Sequence, residues 1–494
     1  MLKLINPTQV RLIGYEDKID QVKENLSYRD LKFSFELKRL KDSSKFFIAN
    51  HGIDSYQDEV ERISSQIKQC LLFQDQSGYW TYSGLASKLA LDYNDTVINE
   101  IKYPEPELIS WAKDPKPSRK YQEEIKSALL KVNHGSVEVS TGLGKSWIAL
   151  NLIKELGLKT LVMAPSINIA NQLYADCCAF FGKHKVGAYF SNKKDSSKLI
   201  TVGVAAGLTR IDESDSSWIN LRDCQIFIAD ESHMCPAKTL AKVCFGLMAK
   251  APYRFFFSGT QLRNDGSDLL LQAITGPIVY SMDLKEGVDQ GYLAKPIFNM
   301  VKTQTNLLYS SKDVNKLTRR HLFYNPEVNQ RAGQIANQAW SVGKRPTLIL
   351  IEEIEQFNHI LPFLRYPVKF AHGPLDSAGK AKIPKEYHSK DTNKLVKEFN
   401  EGKFPILIGT SCVATGTDFL TVENIIYLRG GTSEIEVRQG LGRGTRMPEG
   451  SSKKDCYFWD FDVTNEEALH RHAKVRAKIY NEVYPGLKEV TING

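Results

Sequence analysis

Hydrophobic and polar positions divide the chain into two regions of different character. From residue 117 onward, short and almost wholly apolar runs alternate with amphipathic helical stretches. Thr160–Ala164, Gln225–Ala229 and Arg254–Phe257 come first, followed by Thr347–Ile351, Ile406–Gly409, Ile425–Leu428 and Tyr457–Trp459. Such runs fit strands buried on both faces of a parallel sheet, because helical crossovers cover both sides. The pattern predicts two α/β units joined near Gly287–Pro296. Residues 1–112 read differently: Lys32–Leu37 alternates with a period of two and predicts a strand, while a helical period runs near Gln57–Leu72. A small α+β domain is the expected result. Pro104, Pro106, Pro115 and Pro117 predict a linker after it, since prolines at that density stop both helix and ladder. Thr464-Asn465-Glu466-Glu467 has the spacing of a capping box and predicts the start of a basic helix running towards Tyr484.

Composition narrows the class. A chain of 494 residues has room for about three domains with cores that need no staples. Its eight cysteines form no Cys-x-x-Cys pair, which argues against structural zinc and a disulfide framework and predicts a reducing compartment. No apolar run approaches the ~20 residues of a membrane span, and the N-terminus has no signal-peptide anatomy. A soluble cytoplasmic protein without a membrane partner is expected. The net charge of +8 is unevenly spread: residues 1–112 hold 14 Lys/Arg against 17 Asp/Glu, so the excess lies beyond them. A polyanion bound by bulk charge would therefore meet mainly the larger C-terminal part. Within the N-terminal part, Lys38, Arg39, Lys41 and Lys45 suit either a solvated strand edge or a local binding patch. Tyr79, Trp80 and Tyr82 suit hairpin packing better than base stacking. Arg471, Lys474, Arg476 and Lys478 on the last helix fit a solvated face better than a nucleic-acid track.

Three motifs carry chemistry. Val139–Ser146 follows one predicted strand and opens a helix; Gly142 and Gly144 let the backbone turn tightly and aim N–H groups at an anion. Lys145 is placed to reach β- and γ-phosphates and the Ser146 hydroxyl to ligate Mg²⁺, although Val139 stands where the full phosphate-loop pattern has Gly. Asp230-Glu231-Ser232-His233 ends a hydrophobic strand, where Asp230 can hold Mg²⁺ and Glu231 can orient and deprotonate a water. Arg443 and Arg446, three residues apart, fall on one helix face. If the two α/β units face each other, both arginines can reach a γ-phosphate.

Taken in order, these motifs resemble those of superfamily 2 helicases of the DExH group over about residues 117–450. The resemblance implies an ATP- and Mg²⁺-dependent motor of two tandem RecA-like domains, with ATP in the cleft between them. Arg119 and Gln122 then correspond to the adenine-reading motif, and Thr141, Gly142, Gly144, Lys145 and Ser146 to the phosphate loop. Asp230 and Glu231 form motif II, Gly416 and Asp418 lie in motif V, and Gln439, Arg443 and Arg446 in motif VI. His233, Ser258 and Thr260 would couple γ-phosphate status to closure, and Pro165, Ser166, Gln172 and Thr410 would touch nucleic acid. Gly287–Pro296 and the compact N-terminal domain more narrowly resemble the bacteriophage UvsW-type helicases that remodel branched DNA. That implies DNA rather than RNA as partner and favours a monomer. The expected division is 1–112 (accessory), 113–294 and 295–464 (RecA-like) and 465–494 (helical tail). An RNA helicase, a duplex translocase without strand separation and a non-catalytic binding module are the alternatives.

Overall fold

The computed structural model describes residues 1–113, 117–234, 237–259, 267–373, 375, 377–388, 391–410, 419–447 and 453–491. By its internal contacts the chain groups into two units, 1–138 with 145–281 and 139–144 with 282–494.

The first unit opens with a five-stranded sheet in the order Phe73–Asp75, Gly78–Tyr82, Gln9–Leu12, Leu2–Asn6, Val97–Asn99. Leu2, Val10, Leu12, Leu85 and Leu89 fill its core. Between two short paired strands, Ser27–Arg29 and Lys68–Cys70, three helices are inserted. Here Lys32–Leu37 departs from expectation: it lies in the helix Leu31–Asp42 rather than a strand. Asp30 caps that helix by accepting from the Lys32 N–H at 3.0 Å. Phe33, Leu37 and Leu40, spaced four and three apart, pack against Ile63, whereas Phe35 is 67% exposed. Three apolar residues at alternate positions thus mimicked a strand over a span too short to separate the two periods. The basic residues Lys38, Arg39, Lys41 and Lys45 stand on helices and not on a strand edge. The next helix is Ile53–Ser65, shorter than the Gln57–Leu72 period suggested, because Lys68–Cys70 leaves it to pair with Ser27–Arg29. Trp80 stacks on Phe73 and Tyr82 on Phe245, both as packing contacts.

An eight-stranded sheet follows in the order Lys193–Lys194, Val186–Phe190, Ile200–Val204, Thr160–Ala164, Ile226–Ala229, Tyr253–Ser258, His134–Val139, Ile278–Met282. From Val186–Phe190 to His134–Val139 every pairing is parallel. Every residue of Thr160–Ala164, Ile226–Ala229 and Tyr253–Ser258 is buried, as continuous apolar runs require. The proline-rich stretch before this sheet is no free linker. Tyr103 packs on Tyr253, the Glu107 N–H donates to Leu156 O at 2.8 Å, and the Ala112 N–H to Phe180 O at 2.7 Å. Trp111 stacks on Trp147, 5.6 Å between centroids.

The second unit is a seven-stranded sheet in the order Val368–Ala371, Ile406–Gly409, Thr347–Ile351, Asn424–Leu428, Asp455–Val463, Lys295–Thr303, Lys488–Val490. Its described pairings are all parallel. The last helix, Glu467–Val483, packs on this sheet through Leu469, Ala473, Ile479 and Tyr480. No capping box starts it: the Thr464 hydroxyl donates to Thr303 O and the Asn465 amide to Thr305 O instead. Nor is Arg476 solvated. It is 2% exposed and pairs with Asp460 through two bonds of 2.7 and 3.0 Å, while the Tyr480 hydroxyl donates to the same carboxylate at 2.7 Å. Sequence periodicity puts charge on a helix but cannot see a carboxylate waiting on the strand beneath it.

Candidate nucleotide site

In an open parallel sheet, chemistry gathers beyond the C-terminal ends of the strands. Three consecutive elements of the first unit obey this. The helix Lys145–Leu156 starts beyond the strand His134–Val139, Asp230 follows Ile226–Ala229, and Ser258 ends Tyr253–Ser258. The side chains meet. Lys145, 8% exposed, holds Glu231 at 2.9 Å between Nζ and Oε1. His233 Nδ1 lies 3.4 Å from Glu231 Oε2 and shares a 2.7 Å hydrogen bond with the Ser258 hydroxyl. A continuous polar chain therefore runs Lys145, Glu231, His233, Ser258. Neither periodicity nor spacing foretold one feature of it: Glu231 has φ +45°, in the left-handed region. A non-glycine residue held there costs about 1–3 kcal/mol and is retained where the surroundings over-determine it.

Asp230 stands beside this chain. Its backbone N–H donates to Met163 O at 3.0 Å, fixing it to the neighbouring strand, and its carboxylate accepts from the Glu231 N–H at 3.0 Å. Burial and the adjacent Glu231 carboxylate push its pKa up to about 7, against the pull of Lys145. A carboxylate so crowded by negative charge suits a divalent cation, whose charge would relieve both terms. Ser146, half-buried one residue past Lys145, is the second oxygen donor of that set.

The loop residues 139–144 group with the second unit. Gly142 and Gly144 have φ of +96° and +79°, the conformation the phosphate cradle was expected to need. A Cβ on Gly142 would lie 2.9 Å from Arg446 Cγ, and one on Gly442 would lie 2.5 Å from Thr141 Cβ. Gln439 and Arg443 lie on the helix Glu434–Gly444, and Arg443 is 5% exposed. Arg446 follows it and bridges to Leu293. Sequence reasoning missed Lys453. Its buried ammonium donates to Arg446 O at 2.9 Å and to Val422 O, so it steadies the backbone that carries Arg446. A lone lysine in a Lys-Lys pair offers no signal of that role.

The remaining expected residues are scattered as follows. Arg119 and Gln122 open the helix Lys120–Val132, where the Arg119 N–H donates to the Gln122 side-chain oxygen at 2.9 Å and Gln122 is buried. Pro165 and Ser166 follow Thr160–Ala164, Ser166 caps the helix Ile167–Phe181, and Gln172 is half-buried on that helix. Thr410, 6% exposed, ends the strand Ile406–Gly409 and donates its N–H to Ala371 O. Thr260, Gly416 and Asp418 lie outside the described residues.

Two sheets of parallel strands with loop chemistry at their C-terminal ends define two tandem RecA-like domains, beside a small N-terminal domain. A family model described as the type III restriction enzyme res subunit matches residues 116–263, and one described as the helicase conserved C-terminal domain matches residues 338–448. The chain carries a superfamily 2 helicase/translocase fold, with the ATPase motor domains of that family. The DNA 3'-5' translocase XPB2 of Sulfurisphaera tokodaii is 23% identical over 396 residues, spanning 73% of this chain and 84% of that protein. A fragment of a putative HsdR subunit of a type I restriction enzyme from Vibrio vulnificus YJ016 has a TM-score of 0.55 at 16% identity, over 77% of this chain and 70% of that one. S. cerevisiae Dbp5 bound to RNA and ADP BeF3 has a TM-score of 0.51 at 14% identity, over 76% and 90%. Among the described residues no helix is long and apolar enough to cross a membrane.

Proposed function

We propose that the protein is an ATP-dependent DNA motor that remodels branched DNA, in recombination, repair or replication. The observation that carries its ATPase half is the chain Lys145, Glu231, His233, Ser258 beside the crowded Asp230. Mg²⁺-ATP would supply the phosphoanhydride bond and a divalent cation. Lys145 would bind phosphate oxygens in place of Glu231. Ser146 and Asp230 would hold the cation, and the Glu231 carboxylate would orient water and take its proton. His233 senses that change through the same nitrogen that meets Ser258. Gln439, Arg443 and Arg446 are assigned to hydrolysis as well, on the order of their motif and the charge they would offer a phosphate. Arg119 and Gln122 contact the base, while Thr260, Gly416 and Asp418 complete the motif set.

The DNA half rests on the restriction-enzyme and translocase relatives together with the positive charge beyond residue 112. Pro165, Ser166, Gln172 and Thr410 would touch phosphates, so binding is salt-dependent and nearly indifferent to sequence. The preference for branches rests on the junction Gly287–Pro296 and on the N-terminal domain, with 1–112, 113–294, 295–464 and 465–494 as working parts. A cytoplasmic monomer is the expected form. An RNA helicase is the second reading, favoured by the fold shared with RNA-bound Dbp5. Strand displacement on forks, four-way junctions and RNA duplexes tests the choice. Displacement of fork or junction strands with RNA duplexes left intact supports the proposal, and displacement of RNA alone overturns it.

A further inference from the structure

The first unit's sheet ends in a two-residue strand that the nucleotide site does not use. After Val186–Phe190 the chain turns at Ser191, held at φ +53°, and Lys193–Lys194 pairs back antiparallel. The register is informative. Ala164, the residue before Pro165-Ser166, pairs with Val204; Gly203 pairs with Tyr189; and Phe190 pairs with Lys193. Lys193 therefore stands on the same row as Ala164, at the C-terminal rim of the parallel strands, three strand spacings away. At ~4.8 Å per spacing that is about 14 Å. Along one strand of a duplex, with a rise of about 3.4 Å per base pair, 14 Å is about four base pairs.

The lysines are also held. Lys193 Nζ lies 4.6 Å from the ring centre of Tyr174 and 5.2 Å from that of Phe190, and Lys194 Nζ lies 4.3 Å from that of Tyr189. Tyr174 belongs to the helix that Ser166 caps, so the same element carries the Ser166 end of the rim and the aromatic seat of Lys193. Among the described residues neither lysine has a carboxylate within ion-pair distance; hydrogen bonds from Ser217, and to a smaller extent the charge of Lys194, hold the Asp215 pKa down. Both lysines are exposed, as is Arg210 beyond the strand Ile200–Val204. Lysines also blunt sheet edges against pairing, but that role needs charge alone and not ammonium groups seated on rings.

We propose that the Lys193–Lys194 hairpin is a backbone contact for duplex nucleic acid, binding phosphates about four base pairs from those at Ser166. The inference rests on the reading of the protein as a nucleic-acid motor and names a contact that reading does not contain. Each lost duplex phosphate contact lowers the slope of log K against log salt by about 0.9.

The test is binding of the full chain, without ATP, to fluorescein-labelled duplex DNA and duplex RNA of 20 base pairs from 50 to 200 mM salt. Wild type is compared with Lys193→Ala/Lys194→Ala and Lys193→Arg/Lys194→Arg, each checked for an unchanged melting temperature. The alanine pair is expected to bind more weakly at low salt with a slope shallower by about 1–2, and the arginine pair to restore both. Loss on DNA alone or on both duplexes distinguishes which backbone is used. A folded alanine pair with wild-type affinity and slope overturns the inference, as does a change confined to self-association, which marks edge protection. Wild type that binds neither duplex overturns the motor reading itself.

Discussion

Lys145 and Glu231 form an ion pair of 2.9 Å, with the Glu231 backbone in the left-handed region. On the proposed mechanism a phosphate would take the place of the carboxylate at Lys145, and Glu231 would act as the base. Glu231→Gln keeps the shape and removes the base, so it is expected to keep ATP affinity and lose turnover by about 10²–10⁴-fold, read by nucleotide binding alongside phosphate release. A different residue contributes to acid stability. Burial, and next the charge of Arg254, hold the His134 pKa down to about 3. The unfolded chain protonates there near pH 6.5 while the fold does not, so stability is full above about pH 6.5 and falls progressively as pH drops towards 3. Denaturant melts at pH 7.5 and 4.5 are expected to show that loss, and His134→Gln to reduce it. Lys145, Asp230, Glu231 and His233 could be proposed from sequence because phosphoryl transfer constrains residue types and their order. Glu231's backbone, Lys453's grip on Arg446 and the neutral His134 could not, since each depends on what another segment brings within a few ångströms.

At the scale of elements, each apolar run singled out in the sequence falls in a strand, because a strand covered on both faces has no polar position to confuse its period. The equally buried Val186–Phe190 and Ile200–Val204 were not singled out. The misreadings share one cause. Lys32–Leu37 became a helix, Thr464 bonded another strand instead of its own helix, and Arg476 turned inward, each through a partner distant in sequence. The last case sets a large expected effect. Asp460→Asn leaves the Arg476 guanidinium buried without its carboxylate and is expected to cost about 3–5 kcal/mol, measured by denaturant unfolding. The proline-rich strap along the first unit makes a second prediction. Gly157 has φ +65°, and a Cβ there would fall 1.7 Å from Glu107 O. Gly157→Ala is expected to free the strap, cost more than about 1 kcal/mol and expose the segment around Trp111 to limited proteolysis.

At the scale of the molecule, the first unit gathers Lys145, Asp230, Glu231, His233 and Ser258 beyond the ends of its strands, and the second unit carries Gln439, Arg443 and Arg446. The N-terminal part is acidic and the remainder basic, so a polyanion bound by charge would meet mainly the residues beyond 112. On the proposed function, Lys145 and Arg446 both serve ATP hydrolysis and DNA raises its rate. An arginine supplied to the transferring phosphoryl group is worth about 10³–10⁵ in rate, so its loss is expected to be nearly as severe as loss of the phosphate-loop lysine. The direct test is ATP turnover with and without forked DNA for wild type, Lys145→Ala and Arg446→Ala. Strong stimulation by DNA in wild type and turnover near background in both variants are expected; equal turnover in all three, or wild-type turnover indifferent to DNA, would contradict the proposed function.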